Sequence, residues 1–139
     1  MDTAGGDMTL AELISLVDKT RPNPFDTELK TMWVNEVEHR AYADVVGRAL
    51  RFDRLPDYEP LNYERDSEKT LLIPDQYGDA YLAYVYSKID FTLGEADRYN
   101  NDAEMANAAF RDYSAWYRRN HYPNAYETAT PIFIVKSNA

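Results

Sequence analysis

Through most of this chain the apolar residues recur every three or four positions, and almost nowhere do they alternate. Tyr77, Tyr81, Val85, Ile89, Leu93 and Ala96 fall on one such line, and Leu29, Met32, Trp33, Val37, Ala41 and Val45 on another. A helix repeats every 3.6 residues and a strand every two, so the spacing predicts a mainly α-helical chain. The expectation is a four-helix bundle-like domain with a long central loop and a short extended C-terminal segment. With 139 residues there is material for one domain with a sizeable core. Within it, 1–8 reads as a flexible tail, 9–123 as the helical part and 124–139 as an extended tail.

Local signals place the helix ends. Thr9 and Glu12 have the spacing of a capping box, and Leu10, Leu13, Ile14 and Val17 follow on one face until Arg21-Pro22 stops the run. Asp26 is the expected cap of a second helix, from about Thr27 to Val46, with Gly47 as its stop. From Arg48 to Lys69 charges of both signs mix with two prolines and no period holds. A connection of that length in a compact domain is usually functional or partly disordered. "TLLIP" then reads as an extended segment, with Asp75 as the expected cap of a third helix running to about Tyr99.

Asn100 and Asn101 are poor residues for a helix interior. They read as a joint, with Asn100 ending the third helix and Asn101 capping a fourth from about Asp102 to Asn120. That helix turns Met105, Ala109, Phe110, Tyr113, Trp116 and Tyr117 inward and Glu104, Asn107, Arg111 and Arg118 outward. Its alanines, Ala103, Ala106, Ala108 and Ala109, suit close approach by another helix. The tail "TPIFIVK" is a β-branched run suited to a strand, paired with "TLLI" or with a neighbouring subunit.

Composition narrows the function. No apolar run approaches the roughly 20 residues of a membrane span, and the N-terminus lacks the basic and apolar regions of a signal peptide. Cysteine is absent, which excludes disulfides and thiolate chemistry. A formal charge of −9 argues against gripping nucleic acid through the general surface. Nine of the twelve tyrosines lie in the C-terminal half, and tyrosine serves half-buried positions and interfaces.

Catalytic templates fail: there is no GxGxxG, GxxxxGK[ST] or GxSxG. Glu36 and His39 form the Glu-x-x-His unit of di-iron bundles, but His121 has Arg118 where a second unit needs its acid. Asp97, Asp102 and Glu104 read more simply as helix-end and solvent-facing acids than as a cation site or general base. Arg118 and Arg119 complement a helix C-terminus and suit a protein partner. No catalytic, cofactor or metal residues are therefore expected. The candidate interface residues are Tyr84, Tyr86, Phe91, Arg118, Arg119, Ile132, Phe133 and Ile134.

"MTLAELISLVD" followed by "RPNPFDTELKTMWVNEVEHR", and later "LLIPDQYGDAYLAYVYSKIDFTLGEADRYNNDAEMANAAFRDYSAWYRRNHYP", resemble the head–tail connector (adaptor, or head-completion) family of tailed bacteriophages. The similarity spans Met8 to Pro123 and is strongest around Trp33, in "LLIP" with its tyrosine-rich helix, and at "RYNN". The resemblance implies a structural, non-enzymatic protein of the virion neck, present in the host cytoplasm during assembly. It implies copies assembled as a ring, typically twelve, below the portal protein. Such a ring extends the channel through which genome DNA passes without sequence-specific binding, and docks stopper or tail-completion proteins. The rival reading is a small intracellular α-helical module that binds a protein partner. An acid–base or metal enzyme built on Glu36 and His39 ranks behind both.

Overall fold

The computed structural model describes residues 7–49 and 57–129, with the backbone alone at 49 and 122–129. The chain is mainly helical. Helix α1 spans Leu10–Thr20 and α2 spans Thr27–Arg40. The latter continues without a break through a π-helical turn, Ala41–Val46, into a last α-turn, Gly47–Ala49. A short α3, Tyr63–Asp66, and a 3-10 turn, Asp75–Tyr77, precede α4, Asp79–Leu93, and α5, Ala96–Ala129.

The capping box forms as its spacing predicts. The Glu12 N–H donates to Thr9 Oγ1 at 3.1 Å and the Thr9 N–H to Glu12 Oε1 at 2.9 Å. The next two free donors of α1 are met from far along the chain, Leu10 N–H by the Lys69 carbonyl and Ala11 N–H by the Ser67 carbonyl. Asp26 caps α2 through the Leu29 N–H at 2.8 Å. Lys30 of α2, 3% exposed, reaches back to Asp18 of α1 at 2.5 Å and to Asn23 in the turn between the helices at 3.1 Å.

Helix α4 is central. Tyr81, Val85 and Ile89 are buried against Leu10, Leu13 and Val17 of α1, Trp33, Val34 and Val37 of α2, and Tyr113 of α5 in one core. Burying a large apolar side chain contributes roughly 1.5–3 kcal/mol, so this shared strip is the main reason the helices stay together. The expected stripe of α2 holds at Trp33, Val37, Ala41 and Val45, but Met32 is 54% exposed. On α5, Tyr113 is fully buried, whereas Met105, expected inward, is 51% exposed.

Several boundaries differ from those the sequence predicts. The joint between α4 and α5 is Gly94, not the asparagine pair. Gly94 adopts a left-handed backbone, φ 79°, its N–H bonds to the Phe91 carbonyl, and the Glu95 N–H bonds to the Asp90 carbonyl at 2.8 Å. Those two bonds are the pattern that closes a helix with glycine. Asn100 and Asn101 lie exposed inside α5, where each costs only a few tenths of a kcal/mol against a better helix former. Gly47 does not stop α2, and Pro123 does not stop α5. The backbone stays helical to Ala129, so 124–129 are not extended, while residues 130–139 lie outside the described part.

The segments expected to be loose are tied down where they are described. Met8 donates to Asp75 Oδ1 at 2.7 Å and accepts from the Leu71 N–H at 3.1 Å, and Thr9 pairs with Thr70. "TLLI" thus meets the residues before α1, the tail it was also expected to pair with lies outside the described residues, and Asp75 holds Met8 rather than capping a helix. In the central connection, residues 50–56 lie outside the described part. Beyond them Asn35 holds Leu61 by both its N–H and its carbonyl, and α3 forms one turn capped by Asn62.

Candidate functional site

Two buried polar clusters and one surface face carry the chemistry of the molecule. The first cluster joins three helices. Arg21, just past α1, donates through Nη1 to Asp90 Oδ2 of α4 at 2.6 Å and to Asp102 Oδ2 of α5 at 2.5 Å. Its guanidinium also lies 4.4 Å from the centre of the Tyr86 ring. Asp90 is completely buried, with Arg98 3.6 Å from its other oxygen, too far for a hydrogen bond. Burial and the adjacent Asp102 carboxylate push the Asp90 carboxyl up to about 6, against the opposing pull of Arg21. Asp102, expected as a helix-end acid, is thus an interior partner of Arg21.

The second cluster centres on Glu38 of α2, 5% exposed. Its carboxylate accepts the Tyr81 hydroxyl and the Leu72 N–H, at 3.2 Å, while the Tyr81 oxygen accepts the Ile73 N–H at 2.9 Å. One carboxylate and one phenol thereby satisfy the Leu72 and Ile73 N–H groups of the extended segment "LLI". Burial raises the Glu38 carboxyl, and the Tyr81 and Leu72 bonds oppose the rise. Burial and the same carboxylate raise the Tyr81 hydroxyl well above its ordinary value.

The surface face runs along α2, α4 and α5. Two adjoining hollows, about 240 and 370 Å³, share Tyr84, Ala106 and Asn107. Phe91 and Tyr99 close one end, ring centres 5.4 Å apart, and Phe110 lies at the other beneath the Arg40 guanidinium. Phe91 is 68% exposed, and Leu93 at the end of α4 and Met105 on α5 are exposed as well.

Of the expected interface residues, Phe91, Arg118 and Arg119 are exposed. Tyr84 and Tyr86 are half-buried and already engaged. The Tyr84 hydroxyl donates to Glu36, its ring lies 5.5 Å from Lys88 Nζ, and the Tyr86 ring carries Arg21. Arg118 donates to Ser114 one turn back. Ile132, Phe133 and Ile134 lie outside the described residues. Glu36 and His39 are not turned to a common centre, since His39 stacks on Tyr58 with ring centres 4.7 Å apart.

Sequence reasoning did not single out Arg21, Glu38 or Asp90 as site residues. The available signal was a charged residue on an otherwise apolar helical face, as at Asp90 beside Ile89, because a buried charge demands a partner. Comparisons with protein-family models, curated proteins and solved structures found no match. Among the described residues no helix is long and apolar enough to cross a membrane.

Proposed function

We propose that this chain is a structural subunit of the tailed-phage head–tail connector type, a four-helix bundle-like domain whose function is assembly rather than catalysis. Copies form a ring below the portal protein in the virion neck, extend the DNA channel and dock stopper or tail-completion proteins. The observation that carries the reading is apolar surface left open on the α4–α5 hairpin: Phe91 at 68%, Met105 at 51% and Leu93 at 47% exposure. Large apolar side chains left open on one hairpin support an association surface. A ring further needs two unlike patches on one subunit. Met32, on α2, supplies apolar surface on a different element. The net charge of −9 suits a conduit to which DNA does not adhere.

The test is to mix the purified chain with a portal protein from the same genome and image the mixture by electron microscopy. Rings on the portal are expected, and Phe91→Ser with Leu93→Ser should weaken them while leaving the helical content intact. Absence of any association with the portal would overturn the reading. The second reading, a free-standing helical module, draws on the hollow between Tyr84 and Phe91. It predicts instead a stoichiometric complex with a host protein and no rings.

A further inference from the structure

The two hollows that share Tyr84, Ala106 and Asn107 form one groove along α5, with Phe110 at one end and Phe91 and Tyr99 at the other. From Tyr99 to Phe110 the helix advances about 16 Å, at 1.5 Å per residue. Five residues of extended chain cover the same length, at roughly 3.3 Å each. In such a chain side chains two positions apart point the same way, about 7 Å from one another, so adjoining hollows can take one each. Asn107, exposed on the rim, carries an amide that can bond a passing backbone.

Among the residues outside the described part, only "PIFIV", 131–135, offers five uncharged and largely apolar positions in a row. No charge lies between Glu127 and Lys136, so seating this run adds no repulsion within a protein of net charge −9. Reach decides whose groove it enters. Beyond Phe110, the nearer end, α5 continues for about 28 Å to Ala129. Residues 130–135 stretch to ~21 Å at most, so the run falls short of the groove on its own chain. We propose that residues 131–135 of one copy lie in this groove on a second copy. The donated run and the receiving groove are different surfaces, so the contact can repeat from copy to copy. The inference concerns contacts between copies and does not rest on the connector reading.

The test uses two full-length chains mixed for NMR. One is isotopically labelled, and the other is unlabelled and carries a nitroxide on Lys136→Cys, a unique attachment point because the chain has no cysteine. Label and observed nuclei sit on different molecules, so broadening reports only contacts between copies. It is expected at the Ala103, Ala106 and Asn107 amides. Ile132→Ser with Ile134→Ser in the nitroxide chain, or Asn107→Arg in the labelled chain, should weaken the association roughly tenfold or more with helical content unchanged. Broadening centred on another face would overturn the groove, and broadening undiminished by the serine pair would overturn the run. Broadening seen only where nitroxide and isotope share one chain would place the run in its own groove and overturn the exchange. Sharp signals throughout at millimolar concentration would overturn it as well, whatever the portal experiment gives.

Discussion

Arg21 and Asp90 stand 69 positions apart in sequence and 2.6 Å apart in space, and Asp102 shares the same guanidinium nitrogen. One cation therefore holds the end of α1 to both arms of the α4–α5 hairpin. Arg21→Met should leave two carboxylates facing each other in the interior. Breaking a buried pair typically costs 3–5 kcal/mol; because the Arg21 side chain keeps 23% of its surface in water, about 2–4 kcal/mol is expected. Urea denaturation measures this. Adding Asp90→Asn to Arg21→Met should restore part of the loss, and strictly additive effects would contradict direct coupling.

The same cluster makes stability depend on pH. Burial and the Asp102 carboxylate push the Asp90 carboxyl up to about 6 in the folded chain, from an ordinary value of 3.8. A carboxyl raised on folding holds its proton more tightly in the native state. Its contribution is therefore complete below about 3.8 and is lost as pH rises through 6. Between pH 4 and 7 the wild-type chain should lose about 2–3 kcal/mol relative to Asp90→Asn. Calorimetric melting of both proteins across that range reads the difference, and parallel curves would exclude the shift.

Gly94→Ala should cost about 1–2 kcal/mol. Nothing lies within 4 Å of the added methyl, so the cost comes from the left-handed backbone alone. Asn101→Ala, by contrast, should be neutral or stabilising by up to about 0.5 kcal/mol, because an exposed interior position of a helix prefers alanine. Chemical denaturation of the two variants side by side locates the joint between the helices.

Tyr81→Phe removes the hydroxyl that links Glu38 to the Ile73 N–H. Both partners are buried, so a loss of about 1–3 kcal/mol is expected. The Glu38 carboxyl should rise further once the donor is gone. Carboxyl-resolved NMR titration follows that rise, and an unchanged Glu38 would mean that the hydroxyl does not govern it.

What could be read in the sequence was what is decided within a few residues. The Thr9–Glu12 box, the Asp26 cap and the stripe through Trp33, Val37 and Val45 all depend on neighbours along one helix, and all appear. The joint was misplaced because two local signals competed. Asn100-Asn101 and Gly94 can each end a helix, but only glycine takes the left-handed backbone without penalty, and the next helix starts at once behind it. The last helix, expected to end near Asn120, runs on through Pro123, which lacks one donor. A helix that accepts the loss of one bond continues.

The polar clusters left less trace. Arg21 finds Asp90, and Glu38 finds Tyr81 across 43 positions, only after the helices have packed. Part of the surface face was visible: Phe91 is open as expected. Tyr84 and Tyr86 differ because Glu36 of α2 takes the Tyr84 hydroxyl and Arg21 lies over the Tyr86 ring, partners from other elements that periodicity along one helix does not show.

The 34 residues of α5 make a rod about 50 Å long, and each side chain from Arg118 to His121 is exposed. The bonds their side chains make reach one turn back, Asn120 to the Trp116 carbonyl, His121 to the Tyr117 carbonyl and Arg118 to Ser114, and Pro123 leaves the Arg119 carbonyl without its helical donor. A helix end sustained by local contacts is marginal in water. Amide protons there should trade with solvent orders of magnitude sooner than those around Tyr113. In that respect the end of α5 is a probe of its surroundings: whatever slows its exchange is what it rests against.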